Sequence, residues 1–446
     1  MDEMTAQSAA EIEAIARLVA KLKDQHPSDI ADDLADRDID EVRLILREFN
    51  DETNADVITE LPHEMQTDLL EQMRIDRVTD IIPEMFSDDA ADALSDVSPE
   101  RLHDIMEGLP EEEEEEISGL LTYPEDTAGG IMQKEVLAVN ENITLAQARE
   151  AIRRDEDQDE DSILYVYVVD TEERLRGVLR LRDLLFRDLR LTVKEVMSTE
   201  VRSISVLADQ EQIANIFQKY NYYALPVIDD FSKLVGIVTH DDVIDVIQEE
   251  ATEDMQRMVG LSGEEMTSTP WKTSVKNRLP WLYINLGTAF LAAWVVSLFE
   301  PTIEKYAVLA IFLPIVAGQG GNAGAQTLTI MVRSLALGEL KDDEWRAMLV
   351  KEILVSLVSG LAIGIVVGLI SWLWKGHLVL GVVVCLAMIL NMLAAALSGV
   401  LVPVCLRAIK VDPALASSIM VTTVTDVVGF FLFLSLAALA FKAFPI

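Results

Sequence analysis

The sequence predicts a multidomain membrane protein: an all-α superhelical N-terminal domain, an α/β tandem domain, a connecting helix and a five-helix α transmembrane domain. Three observations predict this fold class. The C-terminal part has five long apolar stretches, the middle contains an internal repeat, and the N-terminal part reads as short amphipathic helices. The 446 residues suffice for about three domains of ordinary size. We place the domains at 1–130, 131–247, 248–278 and 279–446.

Proline divides residues 1–130 into short segments, at Pro62, Pro83, Pro99 and Pro110. Proline is tolerated in the first turn of a helix but not in its interior, so each of these residues marks a helix boundary. The intervals between them are unequal and become shorter along the chain. An irregular superhelix of short helices is therefore predicted.

Residues 131–247 contain two copies of one unit. The matching segments are 131–136 with 196–201, 167–170 with 226–229, and 177–179 with 236–238. The first pair is further apart than the other two, and the difference falls within an acidic insert at 153–161 of the first copy. Each copy reads strand, helix, strand, strand, helix, which predicts a tandem α/β domain.

Five stretches are long enough to cross a bilayer, which requires about 20 mostly apolar residues. They lie near 280–299, 306–332, 347–374, 378–406 and 414–441. An odd number places the two ends of this region on opposite sides of the membrane. Nine Lys and Arg residues flank the spans on one side and three on the other, which predicts a cytoplasmic N-terminal part and an external C-terminus. No signal peptide is predicted, because the first residues lack a basic region followed by an apolar core.

Charge is divided unevenly along the chain. Of the 76 acidic residues 9 lie from Trp271 onward, and of the 36 Lys and Arg residues 12 lie there. Residues 1–270 therefore carry 67 acidic and 24 basic residues, a net charge of −43. Such an excess disfavours nucleic acid and anionic lipid as partners and favours cations. A solvated, solubilising surface is the alternative.

Asp426 lies near the middle of the last apolar stretch and is the one carboxylate that the sequence places deep in any of them. A charge at bilayer depth costs about 2.5–3.5 kcal/mol on translocon scales, so it usually faces a partner or a water-filled path. Acidic rings in pores select cations. We therefore interpret Asp426 as part of a cation pathway. A protonated aspartate hydrogen-bonded between helices is the alternative.

The second apolar stretch combines Pro314 and several glycines with Gln319, Asn322 and Gln326. Proline and glycine predict a kink or an unwound turn, and the amide oxygens suit a hydrated cation. A small-residue packing face is the alternative explanation of the glycines. The predicted pore residues are Asp426, Asn322, Thr422 and Gln326. Five spans cannot form two equal inverted halves, so we expect a pore shared by two identical chains.

Acidic residues recur at spacings of three and four on the predicted helix that follows the repeat. They are Asp242, Asp245, Glu249, Glu250, Glu253 and Asp254. Like charges at these spacings destabilise a helix by a few tenths of a kcal/mol per pair, and a divalent cation bridging them to another acidic surface would remove that repulsion. The sequence has no EF-hand loop. Loosely arranged carboxylates suit Mg2+, which dehydrates reluctantly.

The repeat resembles a tandem pair of CBS motifs, and nearly the whole chain resembles the MgtE family of magnesium channels and transporters. The segments that carry this likeness are Gly320–Gln326, Val411–Ala414, Thr425–Val427 and the acidic run Glu250–Asp254. The resemblance implies a homodimer in the bacterial inner membrane, whose pore selects hydrated Mg2+ through Asp426 with Asn322 close by. It also implies that Mg2+ bound between the helical domain and the CBS pair closes the gate.

Further site residues follow from the resemblance. The implied metal ligands besides Asp426 are Asp88, Asp92, Asp209, Glu211, Asp242, Asp245, Glu250, Glu253, Asp254 and Asp412. A weak adenine-nucleotide site is implied at Thr239 and Asp242, which keep a Thr-x-x-Asp pattern, whereas the first copy has Arg180 in place of the hydroxyl. The sequence departs from the family at Asn221, where Asp is expected, and at Ala325, where Asn is common.

These observations predict a Mg2+-selective channel or transporter for uptake that cytosolic Mg2+ closes. An enzyme is not predicted, because the sequence has no phosphate-binding P-loop and no nucleophile–base set. The alternatives are a nucleotide-sensing CBS membrane regulator that conducts nothing, and a broader transporter of Co2+, Ni2+ or Mn2+. The expected partners are a second copy, the lipid bilayer and divalent cations, without nucleic acid, and the expected ligands are Mg2+ and ATP or another adenine nucleotide.

Overall fold

The protein is mostly helical in the computed structural model, which describes residues 15–154, 165–263, 265–267, 269–337, 340, 344–415 and 417–444. It divides into two units, Met1–Ile247 and Gln248–Ile446, and each has its own buried apolar clusters. The predicted acidic insert lies outside the described residues from position 155 onward.

A run of short helices forms the N-terminal part of the first unit. They are α1 (Pro27–Ala35), α2 (Ile39–Leu46), α3 (Asp51–Thr59), α4 (His63–Gln72), α5 (Ile75–Ile81), α6 (Ser87–Ser95), α7 (Pro99–Gly108) and α8 (Glu111–Leu120), with a 3-10 turn at Ile82–Glu84. Proline opens or precedes α1, α4, α7 and α8. From α1 to α8, each helix contacts the helix two places further along. This stacking confirms the predicted helical superhelix.

Two three-stranded sheets of the same design follow. The strands are β1 (Ala138–Asn140), β2 (Tyr165–Val169) and β3 (Leu175–Arg180), then β4 (Ile204–Ser205), β5 (Ala224–Ile228) and β6 (Leu234–Thr239). In each sheet the first strand pairs parallel with the second, and the second pairs antiparallel with the third. The helices around them are α9 (Leu145–Ile152), α10 (Leu181–Phe186), α11 (Val193–Val196), α12 (Gln210–Tyr220) and α13 (His240–Met258).

The segment that begins each copy pairs with the sheet of the other copy. The bridges between them are Gln133 to Ile237 and Ser198 to Val178. Gln133 corresponds to Ser198 in the sequence repeat, and Val178 corresponds to Ile237, so the two bridges are equivalent. A Cβ on Gly177 would lie 2.5 Å from the Ser198 carbonyl oxygen, so the close approach of the opposite copy requires glycine there. The predicted tandem α/β domain is confirmed.

The second unit contains the long apolar helices. They are α14 (Trp271–Ser297), α16 (Leu309–Ala336), α17 (Trp345–Lys375), α18 (Leu378–Ala408) and α19 (Ser417–Ala443), with a short α15 (Glu300–Lys305) after α14. Among the described residues, four helices are long and apolar enough to span a membrane, namely α14, α17, α18 and α19. α16 has 28 residues, about 42 Å of helix, but its amides and glycines lower its mean hydropathy. A count of five spans therefore stays a prediction.

α16 differs from its prediction in one respect. It is a continuous helix with Pro314 inside it, so of the predicted kink or unwound turn the unwound turn is wrong. Its glycines allow close packing instead: a Cβ on Gly324 would lie 2.5 Å from Cγ1 of Val421 on α19. Small residues in membrane helices let backbones approach in this way. The packing-face alternative therefore accounts for Gly324.

The connecting helix predicted over 248–278 is interrupted. α13 ends at Met258, and α14 begins at Trp271 after Pro270 as its N-cap. Between them, Gly260 and Gly263 have φ angles of +82° and +106°. These conformations are readily adopted by glycine and end a right-handed helix. One helix that ends at Met258 and another that begins at Trp271 therefore replace the single connecting helix.

Candidate cation pathway and acidic clusters

α19 and α16 pack against each other at the segments that carry the predicted pore residues. A Cβ on Gly321 would lie 3.8 Å from Cγ2 of Thr422, and one on Gly324 would lie 3.7 Å from Cγ2 of Thr425. Gly321 immediately precedes Asn322, and Thr425 immediately precedes Asp426. The predicted pore residues Asn322 and Asp426 therefore lie next to the residues that form these two contacts. The side chain of Asp426 is half-buried, whereas Asn322 and Gln326 are exposed on α16.

The threonines before Asp426 donate their hydroxyl hydrogens within their own helix. Thr422 Oγ1 donates to the Ser418 carbonyl at 2.8 Å, and Thr425 Oγ1 donates to the Thr422 carbonyl at 2.9 Å. A hydroxyl that has donated its hydrogen still has lone pairs to offer as an acceptor. The half-buried Thr422 therefore keeps an oxygen that can act as an acceptor, and its role in a pore stays a prediction.

Glu352 is a second buried carboxylate of the membrane helices, and it was not assigned a role from the sequence. Its residue is 5% exposed on α17, and its Oε2 accepts a hydrogen bond of 2.9 Å from Thr327 Oγ1 of α16. The expectation that Asp426 alone is buried in the apolar stretches is therefore wrong. Glu352 could have been identified from the sequence, because it is an acidic residue inside a predicted span.

Asp88 and Asp89, in the first turn of α6, face Asp242 at the start of α13 within the first unit. Burial raises the pKa of Asp88 well above its ordinary value, and the charge of Asp242 raises it further. The same two causes raise the pKa of Asp89 to about 7, and burial raises that of Asp242 to about 6. Asp89 was not predicted as a site residue, although it belongs to the same acidic turn. These carboxylates repel one another unless protons or a cation neutralise them.

Glu135 joins this region through α6. Its carboxylate accepts hydrogen bonds from the backbone N–H of Ser87 at 3.0 Å and from the Ser87 hydroxyl at 2.8 Å. It therefore satisfies an N–H at the start of α6 that no helical carbonyl can reach. Its negative charge also contributes to the raised pKa values of Asp88 and Asp89.

Asp92, a predicted metal ligand, lies beside a histidine. His63 Nδ1 is 3.6 Å from Asp92 Oδ2, and His63 Nε2 is 3.1 Å from Asp96 Oδ2. The nearby Asp92 carboxylate is the main reason that the pKa of His63 is raised to about 9, with Asp96 adding to it. A protonated His63 thus already partners Asp92, and a metal ion there would compete with it.

Asp209 and Asn221 mark the two ends of α12. The Asp209 carboxylate caps the helix by accepting the Glu211 N–H at 2.8 Å. Asn221 ends the helix with a left-handed backbone at φ +52°, a conformation that asparagine adopts more readily than most non-glycine residues. The backbone is compatible with Asn221, but aspartate also adopts this conformation, so the structure does not explain why asparagine stands where the family pattern has Asp.

A second acidic cluster lies wholly in the second unit. Arg257 of α13 donates from Nη1 to Asp412 Oδ2 at 2.7 Å and also pairs with Glu253. Burial and the charges of Asp412 and Glu250 raise the pKa of Asp254 to about 6. The structure thus brings together four predicted ligands, Glu250, Glu253, Asp254 and Asp412, around an arginine that was not predicted. Asp245 is exposed on α13.

Metal-ligand roles for these carboxylates stay predictions. Across the residues that the structure describes, no group of three or more His, Cys, Asp or Glu side chains is arranged to hold a metal ion. The donor chemistry nevertheless fits Mg2+, which prefers carboxylate oxygens and retains several waters. Binding of Mg2+ by Asp88, Asp242, Glu253, Asp254 and Asp412 therefore stays a prediction from the sequence.

The predicted nucleotide residues contact each other. Asp242 Oδ2 accepts hydrogen bonds from the Thr239 backbone N–H at 3.3 Å and from the Thr239 hydroxyl. This pair lies where β6 ends and α13 begins, and its hydrogen bonds resemble those of a helix cap. Asp242 therefore belongs both to the Thr-x-x-Asp pattern and to the acidic cluster with Asp88.

Three regions of the chain match known families. Residues 313–436 match a divalent cation transporter family, MgtE, residues 25–126 match the MgtE intracellular N domain, and residues 128–190 and 193–249 each match the CBS domain. The magnesium transporter MgtE of Thermus thermophilus is 37% identical over 335 residues, which cover 74% of this chain and 73% of that protein. The chain belongs to the MgtE family.

Other MgtE proteins agree with this assignment. The magnesium transporter MgtE of Enterococcus faecalis is 36% identical over 333 residues, covering 75% of this chain and 73% of its own length. The crystal structure of the cytosolic domain of the Mg2+ channel MgtE in complex with ATP superposes with a TM-score of 0.50 at 34% identity, covering 54% of this chain and 98% of that one. Members of the MgtE family are transporters or channels, not enzymes.

Proposed function

We propose that this MgtE-family protein carries Mg2+ into the cell across the bacterial inner membrane. The observation that carries the proposal is the packing of α19, with Asp426, against the glycine face of α16, beside Asn322. A carboxylate and an amide at this depth offer oxygen ligands and charge to a cation leaving bulk water. The relatives named as magnesium transporters support Mg2+ as the cargo.

The pore is formed by two copies of the chain, with α16 as the second of five spans, the N-terminal unit in the cytoplasm and the C-terminus outside. The exposure of Asn322 and Gln326 on α16 supports this arrangement, because a pore between two chains leaves its lining open in one chain. Asp426 from both chains then attracts the divalent ion. Thr422 and Gln326 supply neutral oxygens along the path.

Cytosolic Mg2+ closes the pore by binding to the acidic clusters. At low Mg2+ the carboxylates of Asp88, Asp89 and Asp242 repel one another, and bound Mg2+ removes this repulsion. The Arg257–Asp412 ion pair links α13 to the segment that precedes α19, so a change at α13 reaches the helix that carries Asp426. Binding that differs between two conformations is what shifts their populations.

An adenine nucleotide binds the CBS pair at Thr239 and Asp242 as a further regulator. The complex of the related cytosolic domain with ATP supports this part of the proposal. In this site the Thr239 hydroxyl and the Asp242 carboxylate would exchange their mutual hydrogen bond for contacts with the nucleotide.

Transport is tested with the full-length protein in liposomes. We expect Mg2+ entry that saturates with external Mg2+ and falls as internal Mg2+ rises. Equal initial rates for Mg2+, Co2+, Ni2+ and Mn2+ would instead favour the broader divalent transporter. Nucleotide binding without entry of any of these ions would favour the regulator that conducts nothing.

Asp89→Asn is expected to stabilise the Mg2+-free protein. The substitution removes one charge from a group of carboxylates whose mutual repulsion contributes to the raised pKa of Asp89. We expect the thermal midpoint of the full-length protein in EDTA to rise by a few degrees, equivalent to about 1 kcal/mol. The further rise produced by added Mg2+ should become smaller, because less repulsion remains to be removed.

Asp104→Asn is the control, since Asp104 is an exposed aspartate on α7. It should leave both midpoints within the scatter of the wild type. An Asp89→Asn variant that melts at a lower temperature in EDTA would contradict repulsion at this cluster.

A further inference from the structure

Asn391 on α18 is a fully buried polar side chain in a helix whose other residues are almost all apolar. Its Nδ2 donates to the carbonyl oxygen of Val316 on α16 at 2.9 Å. Its Oδ1 finds no hydrogen-bond partner in the described part of the chain. A buried acceptor without a partner destabilises a fold. Stability alone therefore does not explain an asparagine here.

Two glycines from different helices flank this side chain. A Cβ on Gly320 of α16 would clash with Asn391 Nδ2, and one on Gly429 of α19 would lie 2.7 Å from the same atom. The amide of Asn391 therefore occupies space that any larger residue at either glycine would need. Its thickness limits how closely α16 and α19 approach at this level.

The same two helices carry the predicted pore residues. Gly320 lies two positions before Asn322, and Gly429 lies three positions after Asp426. Each separation is less than one helical turn, so a shift at either glycine also moves the neighbouring pore residue. Discrimination between ions of similar charge depends on how their oxygen ligands are spaced.

We propose that Asn391 is a positioning residue that holds α16 and α19 at the separation required by the cation. Inserted between Gly320 and Gly429, it sets the distance between Asn322 and Asp426 and hence the preference among divalent cations. This inference rests on the proposed transport function. In the competing explanation Asn391 only joins membrane helices, and its loss would then slow all ions by the same factor.

Asn391→Leu tests the proposal, because leucine branches at Cγ as asparagine does but cannot donate a hydrogen bond. Initial rates of Mg2+, Co2+ and Ni2+ entry are measured in liposomes for the wild type and the variant. We expect the ratio of the Co2+ rate to the Mg2+ rate to change by about fivefold, the equivalent of one ordinary hydrogen bond. A ratio that does not change, or three rates reduced by a common factor, overturns the proposal.

Ser371→Ala is the matched control. Ser371 of α17 is also fully buried, but its hydroxyl donates to the Val367 carbonyl of its own helix at 2.6 Å. Removing this hydroxyl breaks no bond between helices, so the ratio of rates should stay at the wild-type value. A shift as large as that of Asn391→Leu would overturn a specific role for Asn391.

Gly429→Ala provides a second test that does not depend on the folding of Asn391→Leu. The added Cβ presses on Asn391, so we expect the ratio of rates to change in this variant. Adding Asn391→Ala makes room for the new Cβ at position 429, so the ratio of rates should return toward the wild-type value. Substitutions at residues in contact have effects that do not add. A double variant with the same ratio of rates as Gly429→Ala alone overturns the proposal.

The absence of Mg2+ entry in the wild type would reject the transport function itself.

Discussion

Asp426→Ala is expected to abolish Mg2+ entry while the protein still folds and inserts. The side chain supplies the negative charge that stabilises a divalent ion inside the membrane, where charge interactions are weakly screened. Losing a few kcal/mol of that stabilisation slows entry by at least about 100-fold. The measurement is the initial rate of Mg2+ entry into liposomes, normalised to the amount of protein inserted.

Glu352→Gln is the matched control for Asp426→Ala. It replaces another carboxylate of the membrane helices but keeps an oxygen that can accept the Thr327 hydroxyl hydrogen, so flux should persist. Asp426→Asn removes the charge but keeps the size of the side chain. We expect it to lose Mg2+ entry nearly as completely as Asp426→Ala. Undiminished Mg2+ entry in Asp426→Ala would reject a pore role for this residue.

Neutralising four carboxylates of α13 together is expected to leave the pore open at high internal Mg2+. The substitutions are Asp242→Asn, Asp245→Asn, Glu250→Gln and Glu253→Gln. Closure requires Mg2+ to bind more tightly in the closed conformation, and without these ligands that difference is lost. Flux at high internal Mg2+ should therefore exceed that of the wild type by at least about tenfold, whereas flux at low internal Mg2+ should be similar.

Four exposed glutamates at the start of α8 allow a control with the same change in net charge. They are Glu111, Glu112, Glu114 and Glu115, replaced by Gln. This variant should close at the same internal Mg2+ concentration as the wild type. It loses the same net charge, but the four glutamates lie outside the two acidic clusters. Normal closure after neutralisation of the α13 residues would rule them out as the Mg2+ sensor.

Local composition and repetition were enough to predict the kind of each element and the family. Long apolar stretches and two matching copies can be read without knowing how the chain packs, so they predicted the membrane helices and the two similar sheets. Asp426 could be singled out because a carboxylate in an apolar stretch is costly wherever its helix packs. The glycines of α16 were ambiguous in the sequence, because an unwound turn and a packing face use the same residues.

The pairs of side chains that meet could be identified only from the packed helices. Thr327 bonds Glu352 across 25 residues, Asn391 reaches Val316 across 75, and Arg257 pairs with Asp412 across 155. Helical periodicity specifies which face of a helix is buried but not the partner helix or its rotation and depth. Those quantities come from the packing of whole helices. The contacts of Glu352, Asn391 and Arg257 therefore could be identified only from the assembled helices.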